Sequence, residues 1–207
     1  MVAAVGAALP LAPAARAEEA GAAAEEEENA WETGFRKDRL SNIEVDDLKR
    51  SMTDEEFSAA VLKLTPLQRF NALNGKDEKP FTGKTVNGYK WDDTAQGTYV
   101  SAISGVELFS SATRYDSKDG QLSFWAPISA ERVIERFDVQ DRKKKPEAEW
   151  RIQIVDRVSK THLGHIYGDG PEPSRKRYKL NACAFRFVPG PAAPGDAAQA
   201  LAGWKFQ

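Results

Sequence analysis

The chain has 207 residues, of which 41% are hydrophobic and 10% aromatic, enough for one core domain with tails. Its formal net charge of −2 gives no electrostatic argument for binding nucleic acid. The single cysteine excludes an internal disulfide and a zinc site built from several cysteines. No apolar run reaches the ~20 residues that a membrane-spanning helix needs.

Residues 1–17 have the character of a targeting segment. They are rich in alanine and end on Ala15-Arg16-Ala17, with small residues of the kind that flank a signal-peptidase cut. A positively charged start is missing, so the pattern fits the later part of a bipartite transit peptide such as lumenal chloroplast proteins of algae carry. We therefore expect the thylakoid lumen, with the periplasm or another exported compartment as the alternative. A plain alanine-rich tail remains open.

Residues 18–51 predict an acidic linker followed by a charged arm. The run of glutamates up to residue 28 is typical of a solvated linker rather than a site. Residues 31–50 mix charges with Trp31 and Phe35, which suits a segment that packs on its own domain or on a partner. The Pro/Ala/Gly-rich tail at 190–207 ends on Trp204 and Phe206 and suits the same role.

Two short helices are predicted next. Thr53 with Glu56, and Thr65 with Gln68, have the spacing of capping boxes, and Pro66 stands where proline favours a first helical turn. The apolar face of this region is predicted to consist of Phe57, Val61, Leu62 and Leu64.

The block from residue 80 to 187 predicts an all-β core, because short runs of Val, Ile, Tyr, Phe and Trp are broken by Gly, Asn, Asp and Pro. The basic run at 142–146 is interpreted as a solvated loop tip. The predicted strands cover residues 97–103, 107–109, 123–126, 133–138, 150–155, 162–167 and 178–188.

Two of these segments carry a recognisable motif. His162-Leu163-Gly164-His165-Ile166-Tyr167 is followed by a turn rich in glycine and proline, and then by Arg177-Tyr178-Lys179-Leu180-Asn181. The segments contain both histidines of the chain, and its only cysteine, Cys183, follows them directly.

Here the chain resembles the B-type methionine sulfoxide reductases, which reduce methionine-R-sulfoxide. That family carries an H-L-G-H-V-F-D-D-G-P run followed by R-Y-C-I-N, whose cysteine attacks the sulfoxide sulfur. The likeness covers residues 52–189, including LTPLQ at 64–68, PFTG at 80–83, GTYV at 97–100 and LFSS at 108–111. It implies a mainly β domain of two antiparallel sheets, the β-tent fold, with short helices before them.

The chain departs from the family at the positions that carry the family's chemistry. Lys179 stands at the position of the attacking cysteine, Gln121 at that of the pocket tryptophan, and Asp119 where a resolving cysteine often lies. Sulfoxide reduction forms a sulfenic acid from a thiolate, and a lysine amine cannot replace that cycle. We expect no cofactor and no zinc, because the four cysteines of the family's zinc cage are replaced by Ser101, Ser104, Asp156 and Ser159.

What the resemblance leaves is a polar pocket. Its predicted members are His162, His165, Tyr167, Asp169, Lys179, Asn181, Gln121 and Phe124. The histidines have two alternative interpretations, as hydrogen-bonded core residues or as a metal pair, and the second lacks a third ligand at a diagnostic spacing.

Three hypotheses for the function follow. The first is a domain without catalysis that serves as a binding or assembly module, with a protein partner that the targeting segment places among the photosynthetic membrane complexes. The second is a working reductase with Cys183 as an unorthodox nucleophile. The third is a sensor that binds methionine sulfoxide, which the glutamine at 121 disfavours because it removes the aromatic wall.

Overall fold

The computed structural model describes residues 49–196, so the targeting segment, most of the arm and the aromatic end of the tail lie outside the described residues. Helix α1 spans Asp54–Leu62 and helix α2 spans Pro66–Asn74. Both begin at complete capping boxes, Thr53 with Glu56 and Thr65 with Gln68, which confirms the predicted starts.

The predicted apolar face of the first helix is partly wrong. Leu62 is 71% exposed, whereas Leu64 is buried in a small cluster with Ala72 and Ile103, against which Phe57 and Val61 pack. Leu62 follows Val61 by one residue, a rotation of about 100° around the helix, so its side chain leaves the face that packs on that cluster.

Nine strands follow within the described part of the chain. They are β1 Gly97–Ser101, β2 Glu107–Ser110, β3 Arg114–Tyr115, β4 Leu122–Phe124, β5 Val133–Phe137, β6 Ile152–Asp156, β7 His162–Tyr167, β8 Arg177–Leu180 and β9 Phe185–Pro189. A third helix, α3, spans Val139–Lys144 between β5 and β6. It takes up most of the basic run that the sequence indicated as a loop tip; the carboxylate of Asp138 caps its N-terminus by accepting from the amides of Gln140 and Asp141.

The strands form two antiparallel sheets, as predicted. The small sheet has the order β2-β1-β9 and the large one β3-β4-β8-β7-β6-β5. The predicted strand 178–188 is in fact two strands in different sheets, joined by a 3-10 turn over Ala182–Ala184 where the chain crosses between them. Within residues 49–196 no helix is long and apolar enough to cross a bilayer.

An aromatic core fills the space between the sheets. Tyr99 and Phe109 of the small sheet lie with ring centroids 5.0 and 4.9 Å from that of Phe124 in the large sheet. Phe124 is fully buried there. Its prediction as a pocket residue is wrong, because strand side chains alternate between faces and Phe124 points to the core, opposite to Ser123.

Candidate functional site

The outer face of β7 and β8 carries the predicted pocket. In the register of these strands His165 pairs with Lys179 and Tyr167 pairs with Arg177, and Lys179 pairs with Ser123 on β4. Directly opposed residues of antiparallel strands project to the same face. These side chains therefore lie together, on the side of the sheet that faces away from the aromatic core.

Gly164 permits the close pairing of β7 and β8 at this point. Its φ is +154°, and a Cβ placed there would lie 2.1 Å from the carbonyl oxygen of Lys179. A larger residue would force the strands apart beside His165 and Lys179, so the glycine sets the geometry of the site.

A β-bulge brings the second histidine to the same face. Ile154 pairs with Gly164 and Val155 pairs with His162, so the register shifts across Leu163. Without this shift, the three-residue spacing would place His162 and His165 on opposite faces. Their ring centroids are 5.1 Å apart.

The loop after α2 supplies a carboxylate that the sequence analysis missed. The Oδ1 of Asp77 lies 2.9 Å from Nδ1 of His165 and 3.5 Å from Nε2 of His162. The other nitrogen of His165, Nε2, lies 2.7 Å from Oδ2 of Asp138. His165 is therefore held between two carboxylates, and both of its ring nitrogens donate.

Arg151 joins Asp77, Asp138 and Asp141 into one partly buried network. Its Nη1 donates to Asp77 at 3.1 Å, and its Nε donates to Asp141 at 2.7 Å. Burial works against charge on His165, but the carboxylates of Asp138 and Asp77 outweigh it and raise the pKa of this imidazole. Burial lowers the pKa of His162, which keeps that ring neutral.

The predicted pocket residues Asn181 and Gln121 hold this same loop. Asn181 accepts from the amide of Glu78 at 2.8 Å and donates from Nδ2 to the carbonyl of Lys76 at 2.8 Å. The side chain of Gln121 donates to the carbonyl of Glu78 at 2.6 Å. The amides that the sequence assigned to ligand binding therefore fix residues 76–78 against the two histidines.

A second cluster occupies the other end of the face. Arg177 makes a bidentate pair with Asp169, with both N–O distances 2.7 Å, and also pairs with Asp119. The guanidinium of Arg177 and the ammonium of Lys179 lie 4.5 and 5.7 Å from the ring centroid of Tyr167. Lys179 thus presents a cation over an aromatic ring at the position that the resemblance assigns to the nucleophile.

Cys183 does not share the strand of Lys179, contrary to the prediction. It lies in the 3-10 turn between the sheets, is 6% exposed and accepts from Nδ2 of Asn71 at 3.7 Å. Burial, together with the nearby carboxylate of Glu78, raises the pKa of its thiol far above the usual value. Both effects favour the protonated form of this thiol.

The four positions that the resemblance assigns to the family's zinc cage lie together and form a hydrogen-bonded serine–aspartate cluster. The carboxylate of Asp156 accepts from the hydroxyls of Ser101 and Ser159 at 2.7 and 2.8 Å, and from the amide of Val158 at 2.9 Å. The hydroxyl of Ser101 in turn accepts from the amide of Ser104 at 3.1 Å. Hydrogen bonds therefore join the two loops where the family's cage would use a metal.

This serine–aspartate cluster is expected to stabilise the fold. Asp156→Asn should lower the free energy of unfolding by about 1–3 kcal/mol, because an amide replaces a buried carboxylate that accepts from three donors. Chemical denaturation measures the change. Asp92→Asn is the matched control: Asp92 is exposed, so a shift within about 0.5 kcal/mol is expected. Equal effects of the two variants would contradict the structural role of Asp156.

Asp77, Asp138 and Arg151 are the site residues that sequence reasoning did not single out. Asp77 is separated from His165 by 88 positions and Asp138 by 27. Neither belongs to a local motif. The one available signal was that two buried histidines on a strand require polar partners.

Comparison with known proteins gives consistent matches. Residues 64–189 match the model of the SelR domain. The chain is 35% identical over 133 residues to a protein of Hahella chejuensis named peptide methionine sulfoxide reductase MsrB, a match that covers 64% of this chain and 86% of that protein. It is 36% identical over 137 residues to the peptide methionine sulfoxide reductase MsrA/MsrB of Vibrio cholerae. That match covers 66% of this chain and 32% of the Vibrio protein, so the chain spans about a third of this relative's length.

Proposed function

The chain belongs to the SelR domain family, the family of its MsrB relatives, and on this premise we propose that it is a member without reductase activity that serves as a binding or assembly module. The observation that carries the proposal is Lys179 on the face formed by His165 and Tyr167. The resemblance places the attacking cysteine at Lys179, and an amine there cannot form a sulfenic acid.

A second observation argues against the alternative reductase. Cys183 is the only cysteine of the chain, and its thiol is buried in a turn beside Glu78 with a strongly raised pKa. A thiolate is the reactive form of cysteine in sulfur chemistry. Cys183 therefore does not meet the requirement for an alternative nucleophile.

The third hypothesis, a sensor for methionine sulfoxide, is also disfavoured. Gln121 has an amide where the family has tryptophan, and this amide bonds to the carbonyl of Glu78. Asn181 is likewise engaged by residues 76 and 78. Both carboxamides of the predicted pocket are thus engaged within the chain itself.

The proposed partner is a protein complex of the thylakoid membrane, and the proposed compartment is the thylakoid lumen. The alanine-rich stretch ending in Ala15-Arg16-Ala17 supports the compartment. The aromatic residues Trp31 and Phe35 of the arm, and Trp204 and Phe206 of the tail, support docking on a partner.

Truncation tests the binding role. Full-length protein should co-purify with solubilised thylakoid complexes, whereas residues 52–189 alone should fold and lose most of that association, because they lack both aromatic segments. Quantitative co-purification in low and high salt measures the difference. If residues 52–189 bind as well as the full chain, the interaction lies on the domain itself. If neither protein binds at any salt concentration, the proposal of a thylakoid partner fails.

A further inference from the structure

Three ligand atoms converge on one point beside β7. They are Nε2 of His162, Nδ1 of His165 and Oδ1 of Asp77, and all lie within 4.8 Å of one another. The side chains of His162 and His165 are 2% and 1% exposed, and that of Asp77 is 26% exposed. Tetrahedral ligands at ~2.0–2.2 Å from an ion lie roughly 3.3–3.6 Å apart. The 3.5 Å between Asp77 and His162 has that spacing, whereas the 2.9 Å between Asp77 and His165 must widen when an ion enters.

The ring of His162 has an unsatisfied nitrogen at that point. Its Nε2 is buried and has no hydrogen-bond partner among the described residues. The carboxylate oxygen beside it, Oδ1 of Asp77, is 3.5 Å away. An unmet buried polar atom costs about 1–3 kcal/mol. Gln153 donates to Nδ1 of this ring, so Nε2 carries the proton. A bound ion would satisfy Nε2 once that proton has moved to Nδ1.

Each of the three ligands is oriented by a further side chain. Asp138 contacts Nε2 of His165 at 2.7 Å, and Gln153 contacts Nδ1 of His162 at 2.7 Å. Arg151 donates to Oδ2 of Asp77 and leaves Oδ1 turned towards the imidazoles. Supporting contacts of this kind fix the ring orientation of histidines that bind metals.

The carboxylates beside the three ligands are matched by nearby cations. Asp77, Asp138 and Asp141 are joined by ion pairs to Arg151 and Lys145, and Arg136 is a third cation near Asp138. The case for a bound ion therefore rests on the geometry of the three ligands and on the open nitrogen of His162.

The expectation of no zinc rested on the four replaced cage positions and on the lack of a third ligand for the histidines, and Asp77 supplies such a ligand. We propose that His162, His165 and Asp77 bind one divalent transition-metal ion of the zinc type. Two imidazole nitrogens and one carboxylate oxygen suit Zn²⁺, with water in the fourth position. Mg²⁺ and Ca²⁺ prefer sites made of oxygen ligands and do not match this set.

Binding requires two local changes. The Nδ1 proton of His165 leaves to solvent, so that the nitrogen lone pair faces the ion. Gln153 turns its amide over to present its oxygen to Nδ1 of His162, which then carries the proton and frees Nε2. This rotation breaks the bond that the Gln153 oxygen accepts from Nε of Arg136 at 3.3 Å. Asp77, whose side chain is 26% exposed, is the ligand on the solvent side of the site.

Titration of the metal-free full chain with Co²⁺, followed by displacement with Zn²⁺, tests the proposal. One ion per chain is expected, with the strong d–d absorption of four-coordinate Co²⁺. Asp77→Asn and His162→Gln should each weaken binding at least tenfold. Gln153→Glu should strengthen it roughly tenfold, because a carboxylate accepts from Nδ1 without an amide rotation.

Asp92→Asn is the matched control, since it removes an exposed carboxylate outside the site. It should leave the metal affinity unchanged. Asp77 lies on a loop and is partly exposed, so its variant should fold even if His162→Gln does not. Absence of stoichiometric binding, or binding that Asp77→Asn leaves intact, would overturn the proposal. Because the readout is binding alone, it is independent of whether the chain reduces sulfoxides.

Discussion

Lys179→Cys should restore at most a trace of methionine-R-sulfoxide reduction, and the double variant with Gln121→Trp should gain more than the product of the single effects. The new thiol would lie opposite His165 in the strand register, but no aromatic wall would hold the substrate. Misplacing a reacting atom by ~1 Å can cost about a hundredfold in rate. Turnover with excess dithiothreitol measures the series.

The structure adds a reason for coupling between the two positions. Gln121 bonds to the carbonyl of Glu78, so its replacement both restores an indole and releases the loop at 76–78 from one of its contacts. Residues that act on one bound sulfur are expected to be non-additive.

Lys90→Cys, which places a cysteine at an exposed position outside the site, is the control for a free thiol and should show only background reduction. A double variant no faster than Lys179→Cys would mean that the pocket has diverged beyond these two positions.

Arg151→Met should lower the free energy of unfolding by about 3 kcal/mol. Arg151 is the shared partner of Asp141, Asp77 and Asp138, and the side chains of Asp138 and Asp141 are 1% and 5% exposed. Removing one member of a buried ionic network leaves uncompensated charge, which costs about 3–5 kcal/mol in a fully buried pair. Because Arg151 is itself 32% exposed, we expect the lower end of that range.

Urea denaturation measures this loss, and Arg186→Met is the matched control. Arg186 lies on β9 with an exposed side chain, so its variant should change stability by less than about 0.5 kcal/mol. Similar losses in both variants would show that the network around Arg151 does not stabilise the fold.

Local chemistry made several parts of the fold predictable. The starts of α1 and α2 were predictable, because Thr53 and Thr65 are each followed three residues later by a carboxylate or carboxamide side chain. The apolar run with its flanking turn gave β7 at the predicted bounds, His162–Tyr167. Each of these signals lies within a few residues of the element that it specifies.

The candidate site and the core packing could not be predicted in this way, because they depend on contacts between residues that are far apart in the sequence. Nothing near Asp77 in the sequence indicates that it meets His165, because a loop after α2 carries it across the sheet. Phe124 and Cys183 were misplaced for related reasons: the first depends on which strand face meets the core, and the second on a crossing between sheets at Ala182–Ala184. Tertiary packing decides where both side chains lie, and the local spacing of apolar residues carries no information about it.

A single-turnover measurement tests the proposed loss of reductase activity most directly. Wild-type protein and Cys183→Ser, each in excess over a peptide that contains methionine-R-sulfoxide, are incubated with dithiothreitol, and the methionine formed is counted beside a protein-free control. The account predicts that neither protein forms methionine above the control. Methionine formed by the wild type but not by Cys183→Ser would contradict it and identify Cys183 as the working nucleophile.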